Sequence, residues 1–358
     1  MYGDDISRDR IGEAYPAVHP VLTGYAVVLR SLIEQLCRDA GLKPHSVEAR
    51  AKDPASLLDK FRRHPGYERL SDAEDLCGVR IVTFFLADVE QVRVLLKRGF
   101  TILKEESREA PSPDAFGYRS LHLIGCLDKS RNKLPEYAPY ADFRVEFQVR
   151  TVLQHAWGAI SHSLDYKNEA ETPPEIRRKL FRVAALLETG DEIFANYRSE
   201  VEEVRARYRS QAVTGDWSLL PLNIDSLRSS WSRLSVDQVV SVAGECGFER
   251  DTGARGLDQL LDSTSVGTLL SLASLAGIAT LGELAAFIDS APRHRPKLSV
   301  LAETSGSHGY VPTAHPVDVI LFLLLLAFPE LRARSAITFH PAIEAGLDAV
   351  LNLEEEPR

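Results

Sequence analysis

The segment Asp142–Arg150, DFRVEFQVR, alternates without a fault. In an extended chain Asp142, Arg144, Glu146, Gln148 and Arg150 fall on one side, and Phe143, Val145, Phe147 and Val149 on the other. A strand patterned in this way buries one face and shows a second face rich in charge. For a single strand this is an ordinary solvated sheet face, but the pattern recurs. Tyr118, Ser120 and His122 share a face opposite Leu121 and Leu123, and Arg50 and Lys52 share another. Brought side by side, such faces form a concave polar surface holding cations, a carboxylate, an imidazole and an aromatic ring, which is the makeup of a nucleotide site.

The cations have a spacing suited to phosphate. Arg50-x-Lys52 lies on a strand, and Ser56 and Lys60 follow one helical turn apart near a helix start. The helix N-terminus adds N–H groups and the positive end of a dipole, so the segment fits a triphosphate. Asp75, in DLCGVR, supplies a carboxylate partner for Glu146. The pair either holds Mg²⁺ jointly, or one member holds the metal while the other accepts a proton. His155 and His162 stand two helical turns apart with no third ligand nearby, and read as structural. Trp157, Tyr166 and Lys167 read as packing or capping residues.

These residues need elements to carry them. Apolar periodicity predicts a helix over residues 20–40, stopped by Gly41, and alternation predicts a strand over 46–52. Asp53-Pro54 reads as an N-cap followed by the first helical residue, with Leu57, Leu58 and Phe61 inward. Further strands are expected at 79–85, 100–104, 118–127 and 142–150, with helices at about 88–97 and 151–164. The result is a mixed α/β domain. After Pro173-Pro174, apolar residues at 180, 183, 187, 194, 197, 201 and 204 form one long helical stripe, interrupted by Gly190, that packs on the domain or pairs with another subunit. A break at 212–216 then opens a region of helices at about 235–246, 265–276, 280–290, 316–328 and 340–352. Thr280 and Glu283 form a capping box there, while Ser305–Tyr310 reads as a loop.

Composition bounds the rest. With 44% hydrophobic and 26% charged residues over 358 positions, the chain is globular and long enough for two domains. Four scattered cysteines without a C-x-x-C pair argue against a disulfide scaffold and a thiolate zinc site, and favour the cytoplasm. The N-terminus lacks a signal-peptide pattern, and the longest apolar run, Val319–Phe328, is about half of the ~20 residues a bilayer span needs. Residues 211–358 hold 10 Lys/Arg against 18 Asp/Glu, whereas the preceding part is nearly neutral and dense in both signs. That density suits phosphates bound by cations beside a metal bound by carboxylates.

The series RAKDPASLLDK (50–60), DLCGVRIV (75–82), GYRSLH (117–122), EFQVRT (146–151) and HAWGAISHSLDYK (155–167) resembles the synthetase domain of the RelA/SpoT family over about residues 20–210. The resemblance implies a nucleotidyltransferase-like mixed sheet flanked by helices. The implied activity moves the β,γ-pyrophosphate of ATP to the 3′-hydroxyl of GTP or GDP, giving (p)ppGpp, with Mg²⁺ as cofactor. It implies that Arg50, Lys52, Ser56 and Lys60 grip the ATP phosphates, with Arg50 also stacking on adenine, and that Asp75 binds Mg²⁺. Tyr118 would stack on the acceptor base and His122 would contact its phosphate or ribose. Glu146 would assist Mg²⁺ or deprotonate the hydroxyl, with Arg119, Gln148 and Arg150 completing the acceptor side.

One departure bears on the acceptor. The family carries a lysine four residues before the stacking tyrosine, and this chain has Asp114, which repels 5′-phosphates unless Arg108 or Arg119 compensates. The alternatives are therefore a toxin acting on the 3′-CCA end of tRNA and an inactive nucleotide-sensing homologue. The expected organisation is an N-terminal segment (1–19), a pyrophosphokinase core (20–170), a long helical segment (171–212) and an acidic, mainly α-helical regulatory or interaction domain (213–358). Expected partners are ATP with GTP/GDP or tRNA, a second copy of the chain, and a protein trigger on the C-terminal domain, with neither membrane nor DNA.

Overall fold

The computed structural model describes residues 6–108, 120–163, 173–251, 264–334 and 338–355. The chain forms two compact units, Met1–Ser199 and Glu200–Arg358.

The first unit is built on one five-stranded sheet. Its elements in order are α1 (Ile11–Asp39), β1 (Ser46–Ala51), α2 (Pro54–Arg63), β2 (Cys77–Thr83), α3 (Leu86–Gly99), β3 (Phe100–Arg108), β4 (Ser120–Leu127), β5 (Val145–Thr151) and α4 (Val152–Ser163). The strands lie in the order β1-β2-β5-β4-β3, with β2 and β5 parallel and the other neighbours antiparallel. The sheet is therefore mixed, as the family resemblance implies. Val47, Val79, Ile81, Val145, Phe147, Val149 and Leu123 are buried together with apolar residues of α1, α2 and α3 in one core.

Helix α1 starts nine residues before the predicted point, with Pro16 and Pro20 inside it. Its apolar stripe already begins at Ile11, Tyr15 and Val18, and this burial offsets the backbone bonds the prolines lack. By length and hydropathy α1 also qualifies as a membrane span, which the longest-run argument overlooked. Its apolar face, from Ile11 to Cys37, is committed to the core of the unit.

Helix α5 (Pro174–Thr214) is continuous and contributes to both units. The predicted stripe is half-buried at Leu180, Leu187, Val201 and Val204, while Val183, Phe194 and Tyr197 are 43%, 49% and 62% exposed. Polar and small residues add to the contact. Asp191 is 2% exposed, and Gly190 admits Leu153 of α4 so closely that a Cβ there would lie 3.1 Å from it. Gly190 is thus a packing site within an unbroken helix.

The second unit is all helical among its described residues apart from isolated bridges. It comprises α6 (Ile224–Ser230), α7 (Val236–Glu245), α8 (Thr264–Leu275), α9 (Leu281–Asp289), α10 (Arg295–Ser307), α11 (Pro316–Ala327), α12 (Glu330–Arg334) and α13 (Pro341–Glu355), with short 3₁₀ turns. The predicted capping box opens α9: Glu283 N–H donates to Thr280 Oγ1, and the Glu283 carboxylate accepts from Thr280 N–H. Helix α11 is apolar all round, buried from Val317 to Leu326 apart from Asp318, and forms the centre of the core. Ser305–Ser307, predicted as loop, finish α10. Ser305 is buried with its hydroxyl donating to the Ala342 carbonyl at 3.1 Å, a tertiary bond invisible to local pattern.

Candidate active site

Antiparallel and parallel pairing together place two rows of side chains across the open face of the sheet. One row runs Glu48–Arg80–Gln148–His122 over β1, β2, β5 and β4, and the next runs Arg50–Gly78–Glu146. Gly78 has nothing within 4 Å of where its Cβ would stand, so the floor between Arg50 and Glu146 stays open. The result is a cleft of about 470 Å³ lined by Arg50, Lys52, Ser56, Asp75, Glu146 and Gln148, together with Glu48 and Arg80. Sequence reasoning brought the first six together. It missed Glu48 and Arg80, although alternation along β1 and β2 carries the signal for both.

The cationic side is built on fixed backbone. Lys52 N–H donates to the Leu76 carbonyl at 2.8 Å, and the Lys52 carbonyl accepts from the buried Tyr15 hydroxyl at 2.6 Å. Lys52 Nζ then meets Asp75 Oδ2 at 2.7 Å, and Lys60 Nζ meets Asp75 Oδ1 at 2.8 Å. Burial pushes the Asp75 carboxyl up, but the two lysine hydrogen bonds and charges outweigh it and hold its pKa below the usual carboxylate value. At the start of α2 the Asp53 carboxylate accepts from Ser56 N–H at 3.0 Å. One of the helix-end donors expected for phosphate is therefore taken, and the Ser56 hydroxyl with the lysines carries that side.

The carboxylate side is a hydrogen-bonded chain. Glu146 Oε1 lies 2.9 Å from His122 Nδ1, and His122 Nε2 lies 2.9 Å from Ser120 Oγ. An ionised carboxylate only accepts, so Nδ1 carries the proton and, in a neutral ring, Nε2 accepts from the Ser120 hydroxyl. Gln148 Nε2 donates to Glu146 Oε2 at 3.0 Å, and an Arg150 guanidinium N–H donates to Gln148 Oε1 at 2.6 Å. Burial raises the Glu146 pKa, but the bonds from His122 and Gln148 outweigh it and hold the carboxyl below its usual value, so the group stays ionised. Burial, seconded by the charge of Arg80, pushes Arg150 down to about 10.

The chain of contacts ends at a residue that local reading did not single out. Thr151 Oγ1 donates to the buried Asp191 carboxylate of α5 at 2.7 Å, and Thr151 N–H donates to Gln154 Oε1 at 2.8 Å. Asp191 pins the end of β5 from 40 positions away in sequence. Tyr118, Arg119 and Asp114 lie outside the described residues, as do Tyr166 and Lys167. Trp157 is buried as expected.

The donor set fits a hard divalent cation. Asp75 and Glu146 line one cleft, and the Asp75 charge acts directly on Glu146. Among the described residues no group of three or more His, Cys, Asp and Glu is placed to hold a metal. Two carboxylates completed by substrate phosphates and water is the manner in which Mg²⁺ is ordinarily bound.

The model of the region found in RelA and SpoT proteins matches residues 49–171, which contains every lining residue of this cleft except Glu48. GTP pyrophosphokinase YjbM of Bacillus subtilis (strain 168) is 31% identical over 166 residues, covering 45% of this chain and 75% of that protein. The chain belongs to the RelA/SpoT family. A second relative, GTP pyrophosphokinase YwaC of the same organism, is 28% identical over 162 residues, covering 43% of this chain and 74% of its own length. The crystal structure of the small alarmone synthetase 1 from Bacillus subtilis aligns over 53% of this chain and 98% of that chain, with 25% identity and a TM-score of 0.45. The RelA/SpoT match ends where the acidic helical unit has not yet begun.

Proposed function

We propose that this RelA/SpoT-family chain is an ATP-dependent 3′-pyrophosphokinase that transfers the β,γ-pyrophosphate of ATP to the 3′-hydroxyl of GDP or GTP. The observation that carries this reading is the cleft itself. Arg50 and Lys52 line it together with Glu146, an ionised carboxylate fixed by His122 and Gln148, and Lys60 joins them through Asp75. The names of the two curated relatives, both GTP pyrophosphokinases, supply the acceptor.

In this reading Arg50, Lys52, Ser56 and Lys60 receive the triphosphate, and Arg50 stacks on adenine. Tyr118 and Arg119 hold the acceptor base and His122, Gln148 and Arg150 its ribose and phosphates. Glu146 takes the proton of the 3′-hydroxyl as that oxygen bonds to the β-phosphorus. The bridge between the α- and β-phosphorus breaks, and AMP leaves with the bridging oxygen. Such transfers depend mainly on holding two oxygens in line and offsetting charge, and rigid strands carrying the base and the cations meet that need. With Glu146 as the base, Asp75 would hold Mg²⁺, which when bound draws charge from the phosphate oxygens; Glu146 would share the metal in the alternative arrangement. A cytoplasmic reaction is our reading, supported by the proposed use of ATP and GTP.

A second reading keeps the donor half and changes the acceptor. Asp114, in the position of the family lysine, favours an acceptor without 5′-phosphates at that point, which the terminal adenosine of tRNA satisfies. Either acceptor requires one AMP, and no ADP, per product formed. Chromatography of the spent nucleotides tests this, and accumulation of ADP would replace pyrophosphate transfer with simple phosphoryl transfer. For the acidic helical unit, a regulatory or interaction role is our reading, supported by its 10 Lys/Arg against 18 Asp/Glu over 211–358.

A further inference from the structure

The two lysines assigned to the triphosphate and the aspartate assigned to the metal are bound to one another. Both oxygens of Asp75 are engaged, one by each ammonium, at 2.7 and 2.8 Å. All three side chains are only about a fifth exposed, at 20% for each lysine and 22% for Asp75, so water does little to screen them. The remaining metal candidate, Glu146, touches neither lysine and is held by His122 and Gln148. Two of the phosphate donors and one of the metal acceptors are thus paired with each other.

Building on the pyrophosphokinase reading, we propose that Asp75 acts as a specificity-determining clamp on Lys52 and Lys60, making triphosphate binding conditional on a divalent cation. A free triphosphate must strip the lysines from Asp75 and then face an uncompensated carboxylate. A free cation meets a carboxylate whose two oxygens are taken and which is flanked by two positive charges. Arriving together, the two exchange partners: each ammonium passes to a phosphate oxygen and Asp75 passes to the cation. Every charge that loses a partner gains another, so no buried charge is stranded. Binding linkage is reciprocal, so each ligand improves the affinity of the other by the same factor. The site thereby selects the metal-complexed nucleotide, the form it can process, and rejects the free one.

The test uses the full-length protein and α,β-methylene-ATP, which cannot be cleaved at the bridge the reaction breaks. Its affinity is measured by calorimetry in EDTA and in saturating Mg²⁺. Wild type should bind the analogue at least about fivefold more tightly with Mg²⁺, the lower end of ordinary coupling between sites. Asp75→Asn should remove most of that gap by tightening the EDTA measurement, because the lysines are released. Glu146→Gln deletes the same charge from the same cleft without releasing a lysine, and should tighten EDTA binding clearly less. EDTA affinity of Asp75→Asn at or below that of wild type, or an equal gain in Glu146→Gln, overturns the clamp while leaving the nucleotide reading intact. Absence of any binding by wild type in Mg²⁺ overturns the nucleotide reading and the clamp with it. Should Asp75→Asn fail to fold, the reverse arm decides. Lys60→Met frees one oxygen of Asp75, so Mn²⁺ alone, titrated by electron paramagnetic resonance, should bind several-fold more tightly than to wild type. An unchanged Mn²⁺ affinity overturns the clamp.

Discussion

Replacing Glu146 by glutamine separates chemistry from architecture, because the structure shows how the amide is accommodated. Glu146 accepts from Gln148 Nε2 and from His122 Nδ1, at 3.0 and 2.9 Å. In the variant the amide oxygen keeps the Gln148 bond. The amide N–H then faces His122, which adapts by moving its proton to Nε2 and donating to Ser120. Two charge-assisted bonds become neutral ones, at a cost of about 1 kcal/mol. The chemical cost is larger, since an amide takes no proton and a positioned base is worth about 10²–10⁴-fold, or about 3–5 kcal/mol at 1.36 per decade. The assay is a single-turnover quench of pyrophosphate transfer at saturating ATP and acceptor, with urea unfolding alongside. The expected result is a transfer rate at least about a hundredfold lower with the unfolding midpoint nearly kept. A folded variant turning over within about threefold of wild type would remove proton abstraction by Glu146 from the mechanism.

Gly78→Leu should leave the fold intact, because the Cβ position is open, yet fill the floor between Arg50 and Glu146 and abolish nucleotide binding in calorimetry. Tyr118→Ala should raise the acceptor KM by a factor corresponding to about 1–3 kcal/mol, with the ATP KM little changed. Thr151→Val removes a charge-assisted bond to buried Asp191 and should lower stability by about 1.5–3 kcal/mol in urea titration. Burial, then the charges of Arg150 and Arg80, hold the His155 pKa below 6.5. The unfolded chain therefore binds the extra proton first as pH falls below about 6.5, and stability drops with it down to the folded value. His155→Gln should flatten that part of the stability–pH curve, and an unaltered slope would rule out this source.

How much of this was readable beforehand follows from the range of each interaction. The strands β1 and β5, the cap at Asp53 and the capping box at Thr280 depend on neighbours within a few residues, and local spacing carries them. The cleft was legible because period-two alternation decides the face of each strand, although alternation does not say which strands are neighbours. The β2–β5 pairing, which seats Gly78 and Arg80 beside Glu146 and Gln148, bridges residues almost 70 positions apart. The Lys52–Asp75–Lys60 cluster could not be read, because Asp75 lies in a loop whose path only the fold decides. The contacts of α5 at Asp191 and Gly190 were out of reach for a related reason, since they depend on tertiary partners at Thr151 and Leu153.

The central claim is transfer of two phosphates together to a 3′-hydroxyl. It is tested most directly by incubating the full-length protein and Mg²⁺ with ATP labelled on its γ-phosphate, in parallel with GDP, GTP, 3′-deoxy-GTP and bulk tRNA. The account predicts label on GDP or GTP, none on the 3′-deoxy analogue, and one AMP released per labelled product; label on tRNA alone would select the second acceptor. Label on none of these, from folded protein that binds the α,β-methylene analogue, would contradict the account and leave a nucleotide-binding protein without transfer activity.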